Sequence, residues 1–151
     1  MISMAAGAAE QGVGLKDFFW GPGIQFNHTF RVVILEEIVI NPPPKNHSTA
    51  CFQVNVRDTL HGIREKELAN VHVLESPERA CSVIRMLIEG KKDGQILNHV
   101  AASNLFLVGT NKGLMVIEVS REWRKSGYVW NIVASEYEPC RDVPPGTRIF
   151  Y

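Results

Sequence analysis

Apolar and polar positions alternate most regularly between residues 103 and 137. Three runs rich in β-branched and aromatic residues stand at 103–109, 114–120 and 128–137. The first two runs are separated by a polar tetrapeptide that ends in Gly113, which suits a type I turn closed by a residue with positive φ. The pattern therefore predicts three consecutive strands that pair as an antiparallel meander.

A capping residue, apolar residues at helical spacing and a terminating glycine together indicate one helix. Ser76 is a favourable N-cap, and Pro77 suits the first helical position. The apolar residues that follow recur at intervals of three and four, as on one face of a helix: Ala80, Val83, Ile84, Leu87 and Ile88. Gly90 ends the pattern. These signals predict a helix from Pro77 to Glu89.

Other segments carry weaker signals. Phe30 to Ile40 is apolar and β-branched almost throughout, which predicts a strand covered on both faces. Residues 50–57 alternate and predict a half-exposed strand, and residues 147–151 predict a last edge strand. Residues 59–70 fit either a helical turn or a loop, and 95–102 fit either a strand or a short helix.

The predicted fold class is α+β, with a mainly antiparallel, curved sheet of five to seven strands and the 77–89 helix packed on one face. A chain of 151 residues is long enough to bury one core, and we expect residues 24–151 to form a single domain. Residues 1–23 are rich in Ala and Gly and are predicted to be flexible. Within them, the aromatic stretch 18–20 should dock on an apolar surface.

The apolar side chains on both faces of the predicted sheet are the feature that suggests a function. A six-stranded sheet is roughly 28 Å wide, whereas a helix of about thirteen residues is only ~20 Å long. One helix cannot cover both faces, and both faces of the meander carry apolar side chains. Alternation puts Tyr128, Trp130 and Ile132 on one face. The sequence does not decide which face the helix leaves open, and we predict that these three residues line a ligand site or an interface on that second face. The alternative is that the aromatic stretch 18–20 folds over and seals it.

Composition disfavours two classes of partner. Lys plus Arg and Asp plus Glu each total 16, so no overall positive field attracts nucleic acid, and nucleic-acid binding is not expected. No apolar run reaches the ~20 residues that a membrane-spanning helix needs, and the first residues lack the features of a signal peptide. Three cysteines without a close pair fit a reducing cytoplasm.

Chemical motifs are few. The five histidines, His28, His47, His61, His72 and His99, are scattered. None of them pairs at the spacing that presents a metal site on a helix or a strand, so no metal is predicted. Signatures of serine hydrolysis and of nucleotide binding are missing, so no cofactor is predicted.

Three local groupings have both a chemical and a structural interpretation. Cys140-Arg141-Asp142 contains a thiol that an arginine could activate, although sequence neighbours need not meet in space. Glu36 and Glu37 would point to opposite faces of a regular strand, which would bury one carboxylate, whereas an irregular strand would turn both outward. Cations at 121, 124 and 125 stand near aromatic residues, as in single-stranded nucleic-acid sites or in a charged turn beside core aromatics.

The sequence thus predicts a small soluble binding module rather than an enzyme. It would bind a small apolar or aromatic ligand, or associate as a homodimer, through the second face of its sheet. The alternative is a hydrolase or nuclease that uses scattered His, Glu and Arg residues. A bound ligand or dimer on the sheet would favour the module, and a polar cleft that gathers His and carboxylate groups would favour the enzyme.

Overall fold

The computed structural model describes residues 14–38, 50–69, 71–90, 103–125 and 127–151. Several sequence predictions fall outside these residues. They are the flexible part of the N-terminal segment before residue 14, the undecided segment 95–102, and the side chains of His47 and His99.

Three α-helices and eight strands lie in the described part of the chain. The helices are α1 (Leu15–Phe19), α2 (Leu60–Glu67) and α3 (Pro77–Ile88). The strands are β1 (Ile24–Phe26), β2 (Cys51–Gln53), β3 (Asp58–Thr59), β4 (Asn104–Thr110), β5 (Gly113–Arg124), β6 (Gly127–Glu136), β7 (Asp142–Val143) and β8 (Arg148–Phe150).

Six strands form one sheet in the order β1-β6-β5-β4-β8-β2, and β3 pairs with β7 in a separate two-stranded sheet. The α+β class and the meander of β4, β5 and β6 are confirmed. The sheet is mixed rather than purely antiparallel, because β1 runs parallel to β6 and β8 runs parallel to β4. Neither of these two pairs is joined by a hairpin, so the antiparallel direction is not imposed on them.

Local signals place α3 and the first hairpin where the sequence predicts them. The Ser76 hydroxyl accepts a hydrogen bond from the Arg79 N–H at 3.1 Å, and the helix starts at Pro77. Gly113 closes the hairpin turn with a φ of 100°. The predicted last strand also forms as β8, but it lies between β4 and β2 rather than at an edge.

The prediction of a strand at Phe30 to Ile40 is wrong for its described part. Phe30–Ile34 is a π-helix and Leu35–Glu37 a 3₁₀-helix. The buried residues of this segment recur at helical spacing: Phe30, Ile34, Leu35 and Ile38. The run looked uniformly apolar because its other face is also rich in valine, at Val32 and Val33, which are only half-buried.

Asn27 joins β1 to this helical segment. Its side-chain amide makes two hydrogen bonds with the backbone of Ala134 in β6, as a strand residue would: Nδ2 donates to the carbonyl at 3.0 Å, and Oδ1 accepts from the N–H at 3.1 Å. The same Oδ1 accepts from the Phe30 N–H at 3.0 Å. The side chain therefore both ends the strand pairing and caps the helix that follows.

Two apolar cores lie on opposite faces of the sheet. On one face, α1, the 30–38 segment and α3 pack against Phe106, Ile117 and Ile132. On the other face, α2 packs against Leu107, Val116 and Ile149. The segment 59–70, which the sequence leaves open between a helical turn and a loop, thus supplies a second helix, and that helix covers the face that α3 does not reach.

Candidate functional site

The β5–β6 hairpin extends beyond the strands on either side of it. In the described residues, β4 begins at Asn104, which pairs with Val119, so β5 has no partner on that side after this point. On the other side, β1 pairs with β6 only from Trp130 to Ile132. Residues 120–124 and 127–129 therefore form a two-stranded ribbon that projects from the sheet.

The back face of this ribbon satisfies its own polar groups. The Glu122 carboxylate accepts hydrogen bonds from Arg124 Nε at 2.9 Å and from Asn131 Nδ2 at 2.6 Å. Arg124 Nη2 also donates to the Gln25 side chain at 3.1 Å. The two hydrogen bonds to the Glu122 carboxylate, above all the one from Arg124, hold its pKa below the usual value.

The front face is aromatic and carries one cation. We call it the aromatic–arginine surface and define it by Arg121, Trp123, Tyr128 and Trp130. The Arg121 guanidinium lies 3.7 Å from the centre of the Tyr128 ring and 5.8 Å from that of Trp130. Trp123 meets Tyr128 edge to face, with ring centres 4.8 Å apart. Such cation–π and edge-to-face contacts orient the four side chains as one unit.

Much of this surface is open to solvent. Trp123 is 66% exposed and Tyr128 is 52% exposed. These two rings together expose roughly 300 Å² of mainly apolar area, within the size range in which the largest patch of a monomer is often functional.

The three residues that the sequence proposed as a site have different environments. Ile132 is fully buried in the core beneath the 30–38 segment and offers no surface, Trp130 is half-buried, and Tyr128 is exposed. All three lie on the face that α3 covers, and the opposite face is covered by α2. The open apolar surface arises instead because the ribbon projects beyond both cores.

A small polar cavity of about 170 Å³ lies beside the second core, between β4, β5 and the loop before β8. The Glu118 carboxylate at its wall accepts hydrogen bonds from the Ser103 hydroxyl and from Arg141 Nη2, the latter at 2.8 Å. Thr147, also in the wall, is fully buried and its hydroxyl has no hydrogen-bond partner among the described residues. The Glu118–Arg141 pair is neutral, so this cavity does not attract a charged ligand.

The other groupings noted in the sequence are separated by the fold. Arg141 turns to Glu118 and Asp142 forms an ion pair with Arg57, while Cys140 is exposed. The reactive trio therefore does not form.

Glu36 and Glu37 are both exposed, because they lie in a helical turn rather than in a strand. Their carboxylates meet Arg31 at 2.9 Å and Asn111 at 2.7 Å. Neither is a buried carboxylate of the kind that serves as an acid or base.

Metal and thiol chemistry find little support in the part of the chain that the structure describes. No three His, Cys, Asp or Glu side chains there are grouped so that they could hold a metal ion. Cys81 is fully buried in α3, and this burial raises the pKa of its thiol far above the usual value. Burial also raises the pKa of the Cys51 thiol. Raised values make both thiols weak nucleophiles at neutral pH.

No family model, curated protein or solved structure matches this chain. Among the described residues, no helix combines the length and the apolar character needed to span a membrane. The residues of the chain itself are therefore the basis for any functional statement.

The sequence contains part of the signal for the aromatic–arginine surface. Alternation along β6 puts Tyr128 and Trp130 on one face, and a correct hairpin register brings Arg121 opposite Trp130 and Trp123 opposite Tyr128. The sequence does not reveal that β4 and β1 end short of the hairpin tip. The sequence carries no signal for the polar cavity, because its five polar side chains come from positions up to 44 residues apart, from Ser103 to Thr147.

Proposed function

We propose that this protein is a binding module without catalytic function, which recognises an apolar or aromatic partner through the aromatic–arginine surface. The observation that supports this proposal most directly is the exposure of Trp123 and Tyr128 on one face of a projecting ribbon. A two-stranded ribbon is only marginally stable by itself, and a partner that covers its aromatic face removes apolar area from water.

The size and charge of the surface favour a small occupant over a second copy of the chain. Stable protein interfaces bury about 800 Å² on each partner, more than twice the roughly 300 Å² that Trp123 and Tyr128 expose. A two-fold dimer would also bring Arg121 and its copy into one interface, which buries two like charges without a counter-ion. A ligand or a short segment of another molecule avoids both difficulties.

The proposal is tested by selecting ligands for the intact 151-residue chain from a displayed library of random peptides. We expect the selected peptides to bind the wild-type chain and to be lost with Trp123→Ala combined with Tyr128→Ala. The matched control is Val129→Ala combined with Val133→Ala, which removes apolar side chains from the back face of the same strand. Peptides that bind the aromatic variant as well as the wild type would exclude this surface.

Light scattering across a wide range of protein concentrations distinguishes self-association from ligand binding. We expect a monomer at every concentration. A dimer that disappears in the Trp123→Ala, Tyr128→Ala variant would assign the same surface to a second copy and would replace the small occupant.

We further propose that the protein works in a reducing compartment such as the cytoplasm. The three cysteines are free thiols, and two of them, Cys51 and Cys140, are exposed. Exposed unpaired thiols are more typical of reducing compartments, where disulfides do not persist. Equal peptide binding by the wild type and by a Cys51→Ser, Cys140→Ser variant under reducing conditions is the expected result, and loss of binding would connect these thiols to the site.

A further inference from the structure

The centre of the aromatic–arginine surface is a cation without a counter-ion among the described residues. Arg121 stacks over Tyr128 at 3.7 Å, and a stacked guanidinium keeps the N–H groups of its two terminal nitrogens in the plane of the group, where an acceptor can reach them. Its Nε is buried and has no hydrogen-bond partner in the described part of the protein. No described carboxylate forms an ion pair with Arg121, since Glu122, its neighbour in the chain, lies on the back face with Arg124.

Other arginines of the chain show the contrast. Five of them are paired with carboxylates: Arg31 with Glu36, Arg57 with Asp142, Arg85 with Glu89, Arg124 with Glu122 and Arg141 with Glu118. Arg121 instead has rings as its neighbours, and Lys125 adds an exposed positive charge at the tip of the ribbon. A planar, oriented and unpaired guanidinium between exposed rings is complementary to a carboxylate that has an apolar group beside it.

We propose that the partner is a short peptide segment in which a carboxylate stands next to an aromatic or aliphatic side chain, an inference that rests on the function proposed above. The carboxylate oxygens accept hydrogen bonds from the N–H groups of Arg121, and the apolar side chain packs on Trp123. Because Tyr128 already holds the guanidinium in place, little side-chain freedom is lost when the carboxylate binds.

Size and charge favour a peptide over single-stranded nucleic acid. The formal net charge of the chain is zero, so the protein has no overall positive field that would attract a polyanion. Nucleic-acid affinity depends on neutralising several phosphates, whereas the front face offers Arg121 and, at the tip, Lys125. An exposed aromatic area of roughly 300 Å² also matches a few residues of a peptide better than a folded domain.

The test uses a fluorescein-labelled peptide of alternating glutamate and phenylalanine, with its ends blocked, and the intact chain. Binding is followed by fluorescence anisotropy. Two counterparts replace either every glutamate by glutamine or every phenylalanine by serine, and an oligothymidylate of similar length serves as the nucleic-acid probe. We expect the glutamate–phenylalanine peptide to bind most tightly and both counterparts to bind at least about ten-fold more weakly, as expected when one charge-assisted hydrogen bond or one packed ring is lost.

Variants separate the role of Arg121 from that of positive charge in general. Arg121→Gln is expected to weaken binding of the acidic peptide about ten-fold and to leave the glutamine counterpart almost unchanged. The matched control is Arg124→Gln, which removes a cation three residues away that is already paired on the back face. Thermal unfolding of both variants shows whether each one still folds. If Arg121→Gln does not fold, Arg121→Lys replaces it, because lysine keeps the positive charge and lacks the planar N–H donors of the guanidinium.

The outcomes distinguish this inference from the function on which it rests. Tight binding of the acidic peptide with dependence on Arg121 and Trp123 supports both. Equal binding of the glutamate and glutamine peptides, still dependent on Trp123, overturns the acidic partner and leaves the binding module in place. Tighter binding of oligothymidylate overturns the peptide in favour of nucleic acid. Both the acidic partner and the binding module are overturned if no probe binds and if the peptides selected from the library bind equally well without Trp123.

Discussion

Two threonines place the same hydroxyl group in opposite surroundings. The Thr147 hydroxyl is buried in the wall of the polar cavity and has no partner in the described residues. The Thr59 hydroxyl accepts a hydrogen bond from the Gly62 N–H at 3.0 Å and caps α2. Replacement by valine keeps the shape of the side chain, so its effect reports the hydrogen bond alone.

We expect these substitutions to change stability in opposite directions. Thr147→Val should raise the free energy of unfolding by about 1 kcal/mol, because it removes an unsatisfied buried hydroxyl. Thr59→Val should lower it by about 1 kcal/mol, because it removes a helix cap. Urea unfolding measures both changes. A loss of stability at position 147 would mean that a water molecule in the cavity satisfies the hydroxyl.

Asp58 makes the stability of the protein sensitive to acid. Its carboxylate accepts hydrogen bonds from Lys66 Nζ at 3.1 Å and from the Thr59 N–H at 2.7 Å. These bonds, the first above all, lower its pKa from the ordinary value of 3.8. Because the folded value is the lower one, the stabilisation is complete above 3.8 and is lost as the pH falls through the folded pKa.

Asp58→Asn should therefore reduce the slope of stability against pH below 3.8. Lys66→Gln should reduce it in the same way, because it removes the main cause of the shift. The measurement is urea unfolding at a series of acidic pH values. A slope equal to that of the wild type in both variants would contradict this assignment.

At the scale of elements, α3 is the helix whose packing is easiest to test. Ile84 is fully buried between α3 and the sheet, whereas Leu87 is only half-buried against the same core. Ile84→Ala should lower the free energy of unfolding by about 2 to 5 kcal/mol through the cavity that it leaves. Leu87→Ala should cost clearly less, since solvent can fill part of the space. Equal losses in urea unfolding would mean that the helix packs in another orientation.

Elements specified by neighbouring residues were predicted correctly. Ser76 and Pro77 start α3, and Gly113 closes the first hairpin, because caps and turns depend on residues only a few positions apart. Segment 30–38 was predicted wrongly for the opposite reason. Its helical start depends on Asn27, whose amide is fixed by the backbone of Ala134, 107 residues away. A contact of that range leaves no periodic trace in the sequence.

The candidate site was predictable to the same limited extent. The identity and side of Tyr128 follow from alternation along a strand, which is a local property. The exposure of Tyr128, like the burial of Ile132 on the same face, depends on where β1, β4 and the 30–38 segment lie relative to the hairpin. Those positions are set by packing across the whole molecule. The sequence therefore predicts the correct hairpin but not the reason why it is exposed.

At the scale of the whole molecule, the N-terminal aromatic stretch is divided between the core and the surface. Phe19 is fully buried, with its ring centre 5.4 Å from that of Phe30. Trp20, the next residue, is 63% exposed beside Phe26. Adjacent aromatic side chains thus have different environments, one in the core and the other exposed to solvent.

Phe19→Ala should lower the free energy of unfolding by about 3 to 5 kcal/mol, as for other buried phenylalanines. Trp20→Ala should change it by no more than about 0.5 kcal/mol, as for most surface positions. Urea unfolding tests both predictions. A large loss of stability from Trp20→Ala would show that this ring is structural despite its exposure.

The Asn27 amide also affects how the protein behaves at high concentration. Unpaired backbone groups at a sheet edge are templates on which other chains add strands, and this is a common start of aggregation. By bonding both polar groups of Ala134, the side chain of Asn27 closes β6 at a point beyond the end of β1. An aspartate there would lose the N–H donor and leave the Ala134 carbonyl without its partner. This edge would then be open to other chains, and precipitation on storage would be its first visible sign.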